Sequence, residues 1–355
     1  VFNQNRALAF VLTLFVQPVV AATVYPLTIE NCGVKETFTQ APQRVVTVGQ
    51  HETELLLALG LEKKISATSV WFGPLPDALA KQGNGLKKLA DNAPSFEAVT
   101  AERPDLVLAQ YHWHIGPQGE TGTREQFATL GIPTWISPAD CIGKSVTDNS
   151  NGDGARSTPF SIAEIEREID ELATIFDVQP QGNALNEALK QRIQQAQVRA
   201  AAQQTRPLKV VFWFSSSRLK GDPWVAGDYG APGWISHTLG LKNIIDSHDE
   251  WPAVTWEHIA QAQPDVIVIA EMSRRLYPAD DVAVKKTFLN DDPVTRNIPA
   301  VKKGRSWWYP RCHSTPPCVM SMPLRRSAKN WQRSRLNNEY HDFSRPLYPA
   351  ALAAA

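Results

Sequence analysis

One spelling occurs twice in this chain and narrows what it can fold into. Glu97-Ala-Val-Thr-Ala-Glu-Arg-Pro104-Asp105 is followed by the apolar run Leu106-Val-Leu-Ala109. Glu257-His-Ile-Ala-Gln-Ala-Gln-Pro264-Asp265 is followed by Val266-Ile-Val-Ile269. Each copy reads as a short helix, a turn set by Pro-Asp, and then a strand. A strand that is apolar at every position is buried on both faces, as the central strands of parallel sheets are. A second pair occurs in the same order: Ala58-Leu-Gly-Leu61 and Thr238-Leu-Gly-Leu241 each end a helical stretch with Gly at its carboxyl terminus. The repeats predict two similar α/β lobes.

A chain of 355 residues is long enough for two cores. Its 36 basic and 36 acidic residues cancel, which argues against a nucleic-acid surface. Arg6 precedes the apolar run Ala7 to Val16, and Val20-Ala-Ala22 supplies small residues at a cleavage point. This reads as a secretory signal peptide over residues 1–22. The mature protein is then expected to be soluble, exported to the periplasm and monomeric, beginning near Ala22 or Thr23. Export permits disulfides, so a Cys32–Cys141 bridge is conceivable, although the sequence does not bring the two together.

The remaining domains follow in order: an amino-terminal α/β lobe over 23–179, a linking helix over 180–205, and a carboxyl-terminal α/β lobe over 206–305. In the first lobe, residues 25–38 read as a hairpin about Asn31-Cys-Gly33. Strands are expected over 44–48, 65–70 and 134–136, with Thr53 as the amino-terminal cap of a helix over 54–59. Residues 138–161 form a polar loop. Asn149, Asn151, Asp153 and Gly154 resemble the start of a calcium loop, but Phe160 stands where a bidentate Glu is needed. Residues 182–204 form a long, mostly polar helix, which suits a bridge between lobes. From Ser306 onward no further strand or helix is expected. Residues 306–355 read as the product of a shifted frame, whose other frame would supply a strand, a turn and an amphipathic final helix. Cys312, His313 and Cys318 are therefore not taken as a metal site.

Catalytic motifs are missing: there is no Gly-x-Ser-x-Gly elbow, no phosphate-binding glycine loop and no His-Glu-x-x-His. Ser215-Ser-Ser217 follows a strand but reads as loop. His51, His112 and His114 fall at predicted strand ends, while His237 and His258 fall within predicted helices. Their expected role is that of isolated surface histidines, with no metal and no cofactor. Ligands of α/β lobes bind beyond the carboxyl ends of the strands. Those ends carry Gln50, His51, Trp71, Phe72, Tyr111 and Trp113 in the first lobe. In the second they carry Trp224, Tyr229, Arg274 and Arg275. Aromatic walls with guanidinium groups suit a bulky, partly planar, anionic ligand.

Taken together, Thr53-Glu-Leu55 through Leu59-Gly60, both Glu…Pro-Asp repeats, Gly240 with Asn243 and the long joining helix resemble the periplasmic binding proteins of ABC importers for iron–siderophores, haem and cobalamin. The similarity spans roughly residues 28–305. It implies two Rossmann-like lobes with central sheets, joined by a single long α-helix and enclosing a shallow cleft. It also implies that one Glu on each lobe, here Glu97 and Glu257, docks onto arginines of the membrane permease, which works with ATPase subunits. The expected cargo is a small-molecule metal chelate of the ferric siderophore type. Haem is the near alternative, with Tyr111 or His112 as axial ligand, as is cobalamin. A periplasmic two-lobe enzyme is the alternative from a different class.

Overall fold

The computed structural model describes residues 22–145, 153–203, 205–271, 276–304 and 306–310, the last five as backbone. The expected signal peptide, Asn149 and Asn151, Arg274 and Arg275, and the tail after Pro310 lie outside the described residues.

The chain opens with a hairpin, β1 (Leu27–Asn31) and β2 (Val34–Phe38). Cys32 and Gly33 at its tip both have positive φ, 50° and 80°. Such a two-residue turn matches the strand twist. Five parallel strands then form the first sheet: β3 (Val45–Val48), β4 (Ile65–Ser69), β5 (Lys88–Ala90), β6 (Leu106–Ala109) and β7 (Thr134–Ile136). Their order across the sheet is β5-β4-β3-β6-β7. A two-stranded ladder, β8 (Lys144–Ser145) with β9 (Ala155–Arg156), leads away from it. The second sheet contains β10 (Lys209–Ser215), β11 (Trp224–Val225), β12 (Lys242–Asn243), β13 (Val266–Glu271) and β14 (Ser306–Pro310). Its path is β11-β10-β13-β14, with β12 pairing on β10.

Helices cover the sheets. The first lobe carries α1 (Gln50–Ala58), α2 (Asp77–Ala80), α3 (Phe96–Ala101), α4 (His112–Ile115) and α5 (Arg124–Thr129). α6 (Ile162–Ile175) lies against it, and α7 (Gln179–Gln203) is the joining helix. At 25 residues α7 is about 37 Å long. The second lobe carries α8 (Ala231–Thr238), α9 (Trp256–Ala262), α10 (Val282–Asp291) and α11 (Pro299–Lys302). No described helix is long and apolar enough to cross a membrane.

The repeat is duplicated in its caps, its buried anchor and its turn. Ser95 and Thr255 cap α3 and α9 through their hydroxyls. Val99 and Ile259 point into the cores, both fully buried. Arg103 and Gln263 both turn left-handed, at φ 49° and 53°. The carboxylate of Asp105 then accepts the backbone N–H groups of Gln43 and Arg44, at 2.7 and 2.8 Å. That of Asp265 accepts the Lys209 N–H at 3.0 Å and both guanidinium arms of Arg206, at 2.8 and 2.7 Å. The Leu-Gly pairs match as well. Gly60 and Gly240 take φ of 75° and 66°, while Leu61 and Leu241 donate back to Leu56 and Ser236. Both helices thus end in the αL closure that glycine makes cheap.

Alternating side chains of the central strands enter opposite cores. Val45, Leu106 and Leu108 pack on one face of the first sheet, and Val46, Val48 and Val107 on the other. In the second sheet Val211, Trp213 and Ile267 oppose Val210, Phe212 and Val268. Burial on both faces is why these strands are continuously apolar.

Two expectations are corrected and one open question is answered. α1 begins at Gln50 rather than after Thr53, because Gly49, at φ 151°, turns the chain directly from β3 into the helix. A Cβ on Gly49 would lie 2.3 Å from that of Gln110, so only glycine fits there. Thr53 instead hydrogen-bonds Thr47 and Thr68, both at 2.7 Å, inside the lobe. Ser306–Pro310, expected to fit no strand, pairs in parallel with β13 from Ile267 to Glu271. Trp, Trp and Tyr are strand-forming residues, and β13 would otherwise leave an open edge. Cys32 and Cys141 are bridged, with Cα atoms 5.8 Å apart.

The polar loop also acquires a role: its second half is a strap onto the second lobe. The Arg156 N–H donates to the His248 carbonyl at 2.8 Å, and the Glu250 N–H to that of Gly154 at 3.1 Å. The Phe160 N–H reaches the Tyr229 carbonyl at 2.7 Å. The Arg156 guanidinium, 4% exposed, bonds Glu250, Glu164, and the carbonyls of Ile142 and Ala139. Arg156→Ala would strand two buried carboxylates and is expected to cost about 3–5 kcal/mol in urea unfolding. Arg156→Lys should recover only part, since lysine lacks the planar fork. A second prediction concerns acid. The Arg206 guanidinium holds the Asp265 carboxyl down at about 2, below its ordinary 3.8. Its contribution is therefore complete above the ordinary value and lost as pH falls through about 2. Asp265→Asn should lower the urea midpoint at pH 7, and the gap from the parent should close progressively in acid.

Candidate functional site

The carboxyl ends of the first sheet deliver side chains in chain order. β3 leads into Gln50 and His51, β4 into Trp71 and Phe72, β6 into Tyr111 and Trp113, and β7 into Ser137. Gln50 is buried and fully committed. Its amide oxygen accepts the N–H groups of Phe72 and Gly73, at 2.8 and 3.1 Å, and its nitrogen donates to Glu54 at 2.9 Å. It therefore shapes the aromatic turn after β4. Trp71 is half-buried, with the Lys88 ammonium 4.1 Å above its ring. Phe72 packs on the core beneath.

After β6 the rings form a stack. Tyr111 lies 5.7 Å from Trp113 at 28°, and Trp113 lies 4.2 Å from His114 at 28°. The Tyr111 hydroxyl accepts from Gln110 at 3.0 Å. Trp113, His112, Asp140, Lys144, Asp153 and Arg167 line a cavity of about 610 Å³, closed on one side by the Cys32–Cys141 bridge. Asp140 accepts from the His112 N–H and from the Lys144 ammonium, both at 2.6 Å. Burial pulls the His112 imidazole below its ordinary range, against the pull of Asp140.

In the second lobe Trp224 meets Tyr277 edge-on at 5.2 Å and 70°. Tyr229 stacks on His248 at 3.8 Å and 22°, beside the strap. The structure thus groups Tyr111 with Trp113, and Gln50 with Phe72. Trp224 and Tyr229 each have a separate partner that the sequence reading did not select. Lys285 braces this edge: its ammonium donates to the carbonyls of Phe214 and Ala270, the last residues but one of β10 and β13. Burial brings the amine down to about 7. Ser215 donates its hydroxyl to Asp280, and Ser216 accepts from the Trp213 indole at 3.2 Å, so both serines serve packing.

Two histidines expected to be isolated on the surface are not. His114 is fully buried. His51 places Nε2 3.1 Å from the Glu168 carboxylate on α6, next to Glu52. Glu168 left a trace in the sequence: it falls on the α6 face that carries Ile165, Ile169 and Leu172, where a carboxylate needs a reason. Burial pushes the carboxyls of both Glu52 and Glu168 up.

Glu97 and Glu257 occupy equivalent places, each the second residue of its short helix, and both are exposed.

A family model described as periplasmic binding protein matches residues 45–309. The vitamin B12-binding protein of Pectobacterium atrosepticum is 27% identical over 272 residues, covering 73% of this chain and 84% of that protein. Among solved structures, an ABC-type Fe3+-hydroxamate transport system protein from Saccharomonospora viridis superposes with a TM-score of 0.65. It is 22% identical, covering 84% of this chain and 96% of that one. A periplasmic heme binding protein from Pseudomonas aeruginosa gives 0.57 at 20% identity, covering 75% and 84%. The two-lobed α/β fold is shared, and the chain belongs to the periplasmic binding protein family, the solute-binding proteins of ABC importers.

Proposed function

We propose that this protein captures a ferric siderophore-type complex in the periplasm and delivers it to an ABC permease. The observation that carries this reading is the set of partly exposed aromatic rings at the carboxyl edges of both sheets: Trp71, Phe72, Tyr111 and Trp113 on one, Trp224 and Tyr229 on the other. Rings of this kind supply contact area at little conformational cost, and the stacked arrangement suits a chelate with flat faces. The Lys88 ammonium over Trp71 adds positive charge at the same edge, and Arg274 and Arg275 follow β13 in the sequence. Both favour an anionic ligand. Glu97 and Glu257, exposed at matching positions, suit two-point docking onto a basic permease surface, with complementarity setting orientation more than strength. A second reading, corrinoid capture, is favoured by the kinship with a vitamin B12-binding protein.

Titrating the purified chain with a ferric hydroxamate, a ferric catecholate, haemin and cyanocobalamin while following tryptophan fluorescence separates these readings. Tight saturable quenching by a ferric siderophore is expected, and Trp71→Ala or Trp113→Ala should each weaken it by about tenfold. Saturation by cyanocobalamin alone would install the second reading. Catalytic turnover of a chelate with no saturable binding would remove both.

The combined variant Glu97→Ala with Glu257→Ala should abolish uptake into cells and leave ligand affinity unchanged; a loss of affinity would place these carboxylates at the ligand instead.

A further inference from the structure

His51, Glu52 and Glu168 meet beneath the carboxyl edge of the first sheet, where α1 leaves β3 and α6 crosses below. One donor atom from each lies within 4.8 Å of the others. Both carboxylates are fully buried, and His51 keeps 12% of its side chain exposed. Apart from each other, neither Glu52 nor Oε1 of Glu168 finds a hydrogen-bond partner among the described residues, and the two carboxyls are close enough to share a proton. No lysine or arginine among them forms an ion pair with either group; His51 is the basic side chain in contact.

Two like charges buried face to face are expensive, and buried oxygens without donors call for an ion, a water or a proton. The surrounding contacts orient the donors. The Ser137 hydroxyl donates to Glu168 Oε2 at 3.1 Å, and the Gln110 side chain accepts the His51 backbone N–H at 3.3 Å. Outer contacts like these fix the ligands of metal sites. All three side chains stand on regular helices, which hold donors more firmly than loops do.

We propose that His51, Glu52 and Glu168 form a binding site for one divalent first-row transition-metal ion, distinct from the aromatic edges that take the cargo. A doubly positive ion neutralises both carboxylates and removes the cost of their burial. The mixed imidazole and carboxylate donors select this class of ion over calcium or magnesium, which prefer oxygen throughout. Donors about 2.0–2.2 Å from a common centre stand about 3.0–3.6 Å apart, so the cluster, now within 4.8 Å, would close by about 1 Å on binding. Entry is from the His51 side, and solvent there completes the coordination shell. The ion would lock α1 to α6.

A shared proton between Glu52 and Glu168 is the competing account, and cobalt distinguishes the two. The chelator-stripped chain is titrated with Co2+, and its visible absorption is followed at neutral pH. About one equivalent should bind, with weak ligand-field bands and no thiolate-to-metal band, which separates this site from Cys312 and Cys318. Glu52→Gln and Glu168→Gln should each weaken binding by about 10–100-fold. His51→Ala, at the least buried ligand, provides the same comparison should a buried variant fail to fold. No saturable binding would overturn the site in favour of the proton, and so would a thiolate spectrum or an affinity indifferent to all three substitutions.

Discussion

Two aspartates hold the architecture in register. Asp105 and Asp265 sit at the starts of β6 and β13 and accept the N–H groups at the entry to the neighbouring strands β3 and β10. Parallel strands have no hairpin to align them, so an error of one residue would exchange the side chains meant for the two opposite cores. A carboxylate bridging two strand entries removes that freedom at a point where the backbone has donors to spare. With the amino ends fixed, the carboxyl ends of β3, β4, β6 and β7 follow, and these carry Trp71, Tyr111 and Trp113 to one edge.

Much of this was legible because it is local. The Pro-Asp turn, the αL glycines at 60 and 240 and the buried strand each depend on a few consecutive residues. The hairpin at Cys32-Gly33 is of the same kind. The errors came from contacts distant in sequence. Thr53 has the chemistry of a cap, but its hydroxyl is claimed by Thr47 and Thr68. Gln50 stands at the carboxyl edge of the first sheet and yet serves Phe72 and Gly73, a bond to a loop twenty-odd residues on that no spacing announces. The strap at 154–160 pairs with residues roughly seventy to a hundred positions away. Ser306–Pro310 was set apart because its aromatic run broke the preceding pattern, whereas the sheet needed only a backbone with strand-forming residues. Glu168 was missed although its place on the apolar face of α6 could have flagged it.

The two carboxyl edges are braced by opposite means. In the first lobe a neutral amide, Gln50, ties the turn after β4 to the head of α1. In the second, the side chain of Lys285 gathers the carbonyls of β10 and β13, and burial draws its amine down to about 7. Each device fixes the backbone beneath the aromatic rings of its edge.

The strap has a mechanical consequence. Were α7 the only connection, the second lobe could swing, tilt and twist about its end like a ball on a rod. Residues 154–160 attach it at a second place, through Arg156, Gly154 and Phe160. A body pinned at two points retains one rotation, about the line between the pins. Any movement of one lobe against the other is then confined to a single arc, along which Glu97 and Glu257 keep a fixed relation to each other.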